Sequence, residues 1–291
     1  MNAIGWLLEH YRRGGLLGIH DWIRYDLTGG YECIKKIDNV AEFWDVNEDG
    51  YVSVQLPGYR LFIDPDDPGI STELLSRGIR EPGSYYHYRR VLRQLPDDPL
   101  ILEAGANIGY YALAAAVERP DANIICVELS EENVKHLRYN AEKNNLTDQL
   151  TIKQVALSDS TGTKEVDMAA ESNQHSLERD PTDDSINVNC MSGDELLDNY
   201  DHTAANVDCL RMDTEGHELA ILRGLTEIRP SVAHIETHPH YLNNNDFSTL
   251  CDYFNRWDTN IVGVYKGDKK FSVDRPLLHK ASQIVFADIN K

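Results

Sequence analysis

The twelve residues Leu100-Ile101-Leu102-Glu103-Ala104-Gly105-Ala106-Asn107-Ile108-Gly109-Tyr110-Tyr111 decide how the chain is read. Leu100 to Leu102 form a short apolar run suited to a strand buried on both faces, and Glu103 is expected where that strand meets water. Gly105 and Gly109 bracket a tight turn, where glycine tolerates positive φ and lets a ligand approach the backbone. Tyr110 to Glu118 continues as an apolar helix whose first N–H groups and positive dipole end suit an anion. Strand, glycine loop and helix together hold a nucleotide-like cofactor in an open α/β sheet.

The order of residues inside the loop selects among cofactors. A dinucleotide site wants G-x-G-x-x-G, with pyrophosphate on the helix end. This chain instead has an acid before the glycines and Asn107 between them. An acidic rim disfavours pyrophosphate and suits the ammonium of an amino-acid tail, which points to S-adenosyl-L-methionine rather than NAD.

Outward from that loop the texture is alternating strand and helix, as in a doubly wound sheet. Strands are expected at Asn123 to Val127, Leu150 to Leu157, Val207 to Met212 and Val232 to Ile235, with later ones at Ile261 to Tyr265 and Gln283 to Ala287. Ser130 is expected to cap a helix running to about Asn144, Glu215 to Gly224 to form another, and Asp246 to Trp257 a third. Thr161 to Cys190 is polar, with strand-like pieces around Val166 and Val188, and reads as an insertion; His175 within it is a candidate lid residue. Before the core, Tyr51 to Gln55 and Tyr59 to Ile63 around Pro57-Gly58 read as a hairpin. Helices are expected at Ser71 to Gly78, capped by Ser71 or Thr72, and at Ser84 to Leu95. The expected organisation is a helical extension at residues 1–50, a hairpin and helix lid or cap at 51–98, and the catalytic domain at 99–291.

Composition narrows the classes. The 28 Lys+Arg against 48 Asp+Glu give a net charge of −20, with no basic stripe to neutralise phosphates, so no nucleic-acid partner is expected. Acidic pairs such as Asp66-Asp67, Asp97-Asp98 and Asp183-Asp184 are dispersed, which suits a protein working at high salt, where self-repulsion is screened. No apolar run approaches the roughly 20 residues that span a bilayer, and no secretory signal is expected at the N-terminus. Ile4, Trp6, Leu7, Leu8 and Tyr11 offer one apolar helical face, suited to packing on the main domain or a partner subunit, with a peripheral foothold on a membrane as the other reading. The five cysteines, Cys33, Cys126, Cys190, Cys209 and Cys251, contain no C-x-x-C pair and read as reduced thiols in a cytoplasmic protein, at most resting on the inner face of the membrane.

Ligands in such sheets lie beyond the carboxyl ends of the strands, where Glu103, Glu128, Asp159, Asp213 and Glu236 are expected. Glu128, one strand on from the glycine loop, is placed to accept hydrogen bonds from ribose hydroxyls. His234, Glu236, His238 and His240 alternate and would share a strand face, as a metal site would need. Pro239 interrupts that strand, and no metal is expected.

Glu103-Ala-Gly105-Ala-Asn107-Ile-Gly109-Tyr-Tyr, Asp213-Thr-Glu215-Gly216-His217-Glu218 with Arg223-Gly224, and Glu236-Thr-His238 occur in order over roughly residues 52–240 and resemble the FkbM-type class I methyltransferases. Glu103 and Arg211 stand where the family usually has aspartate and lysine, and both keep the charge. The resemblance implies a Rossmann-like seven-stranded sheet with the last strand antiparallel, preceded here by an N-terminal α/β-hairpin extension. It implies S-adenosyl-L-methionine as cofactor and a saccharide or other small-molecule acceptor. Glu103, Gly105, Asn107 and Gly109 would hold the methionine end, Glu128 the ribose, and Ala156 and Asp159 the adenine. Asp213 would lie beneath the methyl group.

An acceptor hydroxyl benefits from a base. Asp213 and Glu215 are the first candidates, backed by His217 or His238, and the candidate catalytic set is Asp213, Glu215 and His238. Glu218 reads as a helix-start acid. Glu236, His217, Tyr85 and Tyr86 are candidates for acceptor binding. The leading reading is O-methylation of a sugar hydroxyl in a glycan or glycolipid. Methyl-ester formation on a carboxylate, or O-methylation of a small natural product, is the alternative; a non-catalytic or NAD-binding protein is the reading of another class. The oligomeric state is not legible.

Overall fold

A computed structural model describes residues 46–67, 69–167, 185–238, 244–256, 260–266, 269–271 and 283–288. The N-terminal apolar face, the lid residue His175, Pro239 and His240 lie outside the described residues. The described residues divide into two compact units, one reaching to Arg80 and the other starting at Glu81.

In the first unit, β1 (Val52–Leu56) and β2 (Tyr59–Ile63) pair antiparallel about Pro57-Gly58. The helix α1 (Ile70–Arg77) follows and stops at Gly78, whose φ of 68° only glycine adopts at little cost. Ser71 and Thr72 do not cap it. The Asp67 carboxylate does that work, accepting from the Ser71 N–H at 3.2 Å and the Gly69 N–H at 3.3 Å.

The second unit opens with α2 (Pro82–Leu92), which sequence reading had grouped with the hairpin. Its Ser84, Tyr85 and Tyr88 are buried against residues of the core, so it belongs with the sheet it covers. The core then runs β3 (Leu100–Ala104), α3 (Tyr110–Glu118), β4 (Asn123–Glu128), α4 (Glu131–Lys143) and β5 (Leu150–Gln154). Ser130 caps α4 by accepting from the Asn133 N–H. After an inserted region come α5 (Gly193–Asp198), β9 (Cys209–Met212), α6 (Glu218–Arg223), β10 (Val232–Thr237), α7 (Asn244–Arg256), β11 (Asn260–Lys266), β12 (Lys269–Phe271) and β13 (Gln283–Asp288).

The main sheet has eight strands in the order β12-β11-β13-β10-β9-β3-β4-β5. Strands β5, β4, β3, β9 and β10 are parallel, and β13 enters antiparallel between β10 and β11. The expected sheet of seven strands is one of eight, with β12 at the edge as a strand that three polar-flanked residues did not signal. The expected single strand over Leu150 to Leu157 is also two. It breaks at Val155, whose N–H goes to the Glu128 carbonyl, and β6 (Ala156–Ser158) joins a second sheet with β7 (Gly162–Asp167) and β8 (Ser185–Ser192).

Strand alternation sorts the core by face. One set of alternate residues, Leu100, Leu102, Ala104, Leu210, Met212, Ala233 and Ile235, joins Leu196, Leu219, Leu222 and Leu250 from α5, α6 and α7 in an apolar cluster. The other set is apolar at Ile101, Ile124, Cys209 and Val232 and turns polar two residues further on. Cys126, Glu103, Arg211 and His234 stand at matching register on β4, β3, β9 and β10, forming one row across the sheet. Tyr88 of α2 and Tyr111 of α3 pack their rings on His234, and Arg211 lies over the Tyr111 ring at 4.4 Å. Ser84 completes the cover with a 2.9 Å hydrogen bond to His234 Nε2. Burial is the main force pressing His234 well below the usual histidine range, helped by the Arg211 charge, so the ring is neutral there.

Candidate active site

The glycine loop leaves β3 at a point where β9 crowds it. A Cβ on Gly105 would stand 1.9 Å from the backbone oxygen of Asp213, and Gly105 has φ 76°. Gly105 thus answers to the neighbouring strand, whereas sequence reading assigned its freedom to a ligand. Asn107 and Gly109 also take positive φ, at 49° and 96°. Asn107 caps its own turn, its side chain accepting from the Ile108 N–H at 2.7 Å, and buried Asn140 of α4 donates to the Ile108 carbonyl. The loop is therefore pinned from both sides before any ligand is present.

Two residues further along each strand from the buried row lie Glu128, Gly105, Asp213 and Glu236, so the same side-chain parity emerges at the carboxyl ends. Glu128 accepts from the Asn107 N–H at 2.8 Å and the Ser130 N–H at 2.9 Å. Burial raises its pKa against those hydrogen bonds. The Asn133 side chain and the Leu129 N–H also hydrogen-bond to this carboxylate, which fixes it at the end of β4.

Glu103 does not meet water: it is 1% exposed. Burial pushes its pKa up to about 7 despite Arg211, whose Nη1 lies 3.7 Å from Oε1, with Asp213 and Glu128 adding to the rise. Neither carboxylate oxygen has a hydrogen-bond partner. A buried carboxylate lacking donors beneath the glycine loop fits a ligand that brings an ammonium group, as the amino-acid end of S-adenosyl-L-methionine does.

Across the loop, Asp213 accepts from Arg211 Nη2 at 3.2 Å, while Arg211 Nη1 donates to the Gly105 carbonyl at 3.1 Å. Arg211 thereby ties the glycine loop to the segment after β9. Glu215 follows in a turn with φ 50° and not in the helix, since α6 starts at Glu218. Its carboxylate lies 3.6 Å from His238 Nε2, and Glu236 Oε1 is 3.8 Å from the same nitrogen. His238 Nδ1 is hydrogen-bonded at 2.9 Å to Glu218 Oε1, and Glu218 also accepts from the Gly216 N–H. Burial lowers the His238 pKa, but the Glu218 hydrogen bond and the charges of Glu218, Asp213 and Glu236 outweigh it and push it up to about 10. The ring is then cationic at neutral pH and has no vacancy for an acceptor's proton, which argues against the general-base role considered for it.

The structure brings Asp213, Glu215, Glu236 and His238 together. It places His217 elsewhere: that ring is hydrogen-bonded to Ser158 at 3.0 Å. Asp159 is near there and carries an ion pair with Lys164 at 3.2 Å, while Ala156 is buried at the start of β6. Tyr85 is fully buried among Tyr86, Tyr110 and Tyr111, and Tyr86 is partly exposed at 5.4 Å from it. Gly224, quoted in the motif, is explained by packing: a Cβ there would be 2.0 Å from the Ser158 carbonyl oxygen. Two residues gained weight. Glu218 holds His238 as well as opening a helix, and Arg211 links both halves. The spacing Asp213-x-Glu215-x-x-Glu218 was the visible signal for the first, and the strand register for the second.

The family described as Methyltransferase FkbM domain matches residues 103–261, more than half of the chain. The hexuronic acid methyltransferase AglP of Haloferax volcanii is 26% identical over 192 residues, covering 62% of this chain and 76% of that protein. Among solved structures, the M. jannaschii tRNA m1G37 methyltransferase is 12% identical with a TM-score of 0.45, over 84% of this chain and 58% of that one, so the chain spans under two thirds of its length. The P. horikoshii TYW2 in complex with MeSAdo is 13% identical with a TM-score of 0.46, over 83% of this chain and 71% of that one. Among the described residues, no helix is long and apolar enough to cross a membrane.

Proposed function

Because the chain belongs to the FkbM methyltransferase family, with S-adenosyl-L-methionine as its cofactor, we propose that it methylates a hydroxyl oxygen of a sugar in a glycan or glycolipid. When bound, that cofactor supplies an electrophilic methyl group on a sulfonium, which leaves with the bonding pair retained on sulfur as a neutral thioether. Glu103 would hold the ammonium, Glu128 the ribose hydroxyls, and Asp159 the adenine edge. The work left to the protein is alignment and proton removal.

One observation carries the acceptor side: three carboxylates, Asp213, Glu215 and Glu236, gathered around His238 at the ends of β9 and β10. Glu215 is the proton acceptor in this reading. Asp213 already receives the Arg211 guanidinium, and His238 already carries a proton, whereas the Glu215 carboxylate is partly exposed and takes the hydroxyl proton onto an oxygen as the new C–O bond forms. His238 and Arg211 hold the remaining carboxylates in place. The similarity to a hexuronic acid methyltransferase supports a sugar acceptor. The buried thiols of Cys126, Cys190 and Cys209, with no disulfide between them, fit work in the cytoplasm.

The test is transfer of a labelled methyl group at high salt to oligosaccharides ending in a hexuronic acid or a neutral sugar. Label that survives mild alkali is the expected ether. Label released by alkali would make the product a methyl ester, and no transfer to any saccharide would overturn the reading.

A further inference from the structure

Asp213, Glu236 and His238 each bring one ligand atom to within 4.8 Å of the others. Atoms bound to one ion at about 2.0–2.2 Å are held about 3–4.4 Å apart, so the three atoms stand at or just outside the spacing of a coordination shell and would close by a few tenths of an ångström on an ion. The 3.8 Å from His238 Nε2 to Glu236 Oε1 belongs to that range. Two carboxylates and one imidazole are donors for a divalent cation of the Mn²⁺ or Mg²⁺ kind.

A second observation is independent of those three atoms. His238 turns Nδ1 onto Glu218 at 2.9 Å, and the Glu218 side chain is 0% exposed. A metal-ligating histidine characteristically donates its other ring N–H to a carboxylate, which fixes the tautomer and aims the second nitrogen at the ion. Here the second nitrogen faces Glu215 at 3.6 Å and Glu236 at 3.8 Å. Glu218 is itself set by the Gly216 N–H at 3.0 Å. Helix α6 thus begins with a buried carboxylate whose evident task is to orient one imidazole.

Charge agrees. Among the described residues, Asp213, Glu215, Glu218 and Glu236 bring four carboxylates to a neighbourhood that the Arg211 guanidinium enters. A divalent ion at Nε2 would leave the Nδ1–Glu218 bond intact.

We propose that Asp213, Glu236 and His238 form a divalent-cation site, with Glu218 as the positioning residue behind His238. Three protein donors leave positions open on an ion that prefers six. Those positions suit two neighbouring oxygens of an acceptor, such as a vicinal diol or the hydroxyl and carboxylate of a hexuronic acid. This last step rests on the sugar-methylating reading; the ion site does not.

The experiment titrates the full chain, stripped with chelator and dialysed, with Mn²⁺ alone while following the free-ion EPR signal. One Mn²⁺ per chain is expected, displaced by excess Mg²⁺. Glu236→Gln and His238→Gln should each weaken binding at least about tenfold, and Glu218→Gln about tenfold. S-adenosylhomocysteine affinity, measured on the same samples, should stay within about twofold. In the unmodified chain, bound Mn²⁺ should broaden the His238 ring resonances before those of His217, a reading that needs no variant. Absence of stoichiometric Mn²⁺ binding, equal affinity in variants that still bind S-adenosylhomocysteine, or broadening elsewhere would overturn the site. Full sugar methylation in chelator would sink the ion's part in holding the acceptor and spare the sugar reading; variant-sensitive Mn²⁺ binding without saccharide methylation would sink the sugar reading and spare the ion site.

Discussion

Replacing Glu218 by glutamine removes one charge from beneath His238 and keeps an oxygen for both the Gly216 N–H and the imidazole Nδ1–H. The loss should therefore be electrostatic rather than steric. An opposite charge at hydrogen-bond distance typically moves a pKa by about 1–3 units, and each unit is about 1.4 kcal/mol. In the wild-type chain His238 titrates at about 10, raised from the ordinary histidine value near 6.5. Between those two pH values the native state holds a proton that the unfolded chain has released, so stability from this group is complete below about 6.5 and is lost as pH rises toward 10. Glu218→Gln should then cost about 1–4 kcal/mol at pH 6, less at pH 8, and almost nothing from this source above pH 10. Urea unfolding of both proteins in chelator at pH 6, 8 and 10 reads the difference, and the chelator keeps a metal from replacing the proton. His238 ring resonances followed by NMR give the midpoint directly. A wild-type midpoint below 7, or a stability gap that stays constant from pH 6 to 10, would refute the reasoning.

Other residues give separable outcomes. Gly105→Ala should destabilise the fold by roughly 2–4 kcal/mol, because the new methyl meets the Asp213 carbonyl at 1.9 Å and φ is 76°; a melting temperature unchanged by the substitution would contradict this. Glu103→Gln removes the buried charge offered to an ammonium, so S-adenosyl-L-methionine should bind about tenfold or more weakly in calorimetry, with Mn²⁺ affinity unchanged. Glu215→Gln should lower kcat by about 100- to 10,000-fold in the labelled-methyl assay while cofactor affinity holds, whereas an unaffected rate would remove Glu215 as the base. With a net charge of −20, the melting temperature should rise as NaCl goes from low to molar concentration, and a flat or falling curve would count against adaptation to high salt.

How much of this was legible depends on whether a residue answers to its neighbours in sequence or across the sheet. The parallel strands were readable as apolar runs because both faces are covered, and α4 was readable because Ser130 caps it through the next turn. The caps of α1 were not, because the donor groups turn to Asp67, outside the helix and before the residues that look like caps. The break at Val155 was hidden for a similar reason: nothing local marks it, and the backbone departs there because Glu128 of the adjacent strand receives its N–H. Strand β12 is three residues with no alternation long enough to register.

The site divides along the same line, and register explains it. Acids at strand ends are visible in one sequence, but their roles depend on which row of the sheet they occupy. Glu103 of β3 is followed two residues on by Gly105, just past the strand's end, as Arg211 of β9 is by Asp213, while His234 and Glu236 both lie on β10. The first of each pair lies in the buried row under Tyr88 and Tyr111, and the second emerges at the carboxyl ends. Read singly, Glu103 looked like the strand's last wet residue; read in register, it is the inner partner of Arg211. That arginine is what makes the two rows one device. Its Nη1 reaches Gly105 O in the glycine loop and its Nη2 reaches Asp213 after β9, so a shift in either would be felt by the other through a single planar guanidinium. Lysine at this position, with one ammonium on a flexible stem, would not hold both ends at once. The consequence of an arginine at this position is therefore one that only the folded sheet discloses.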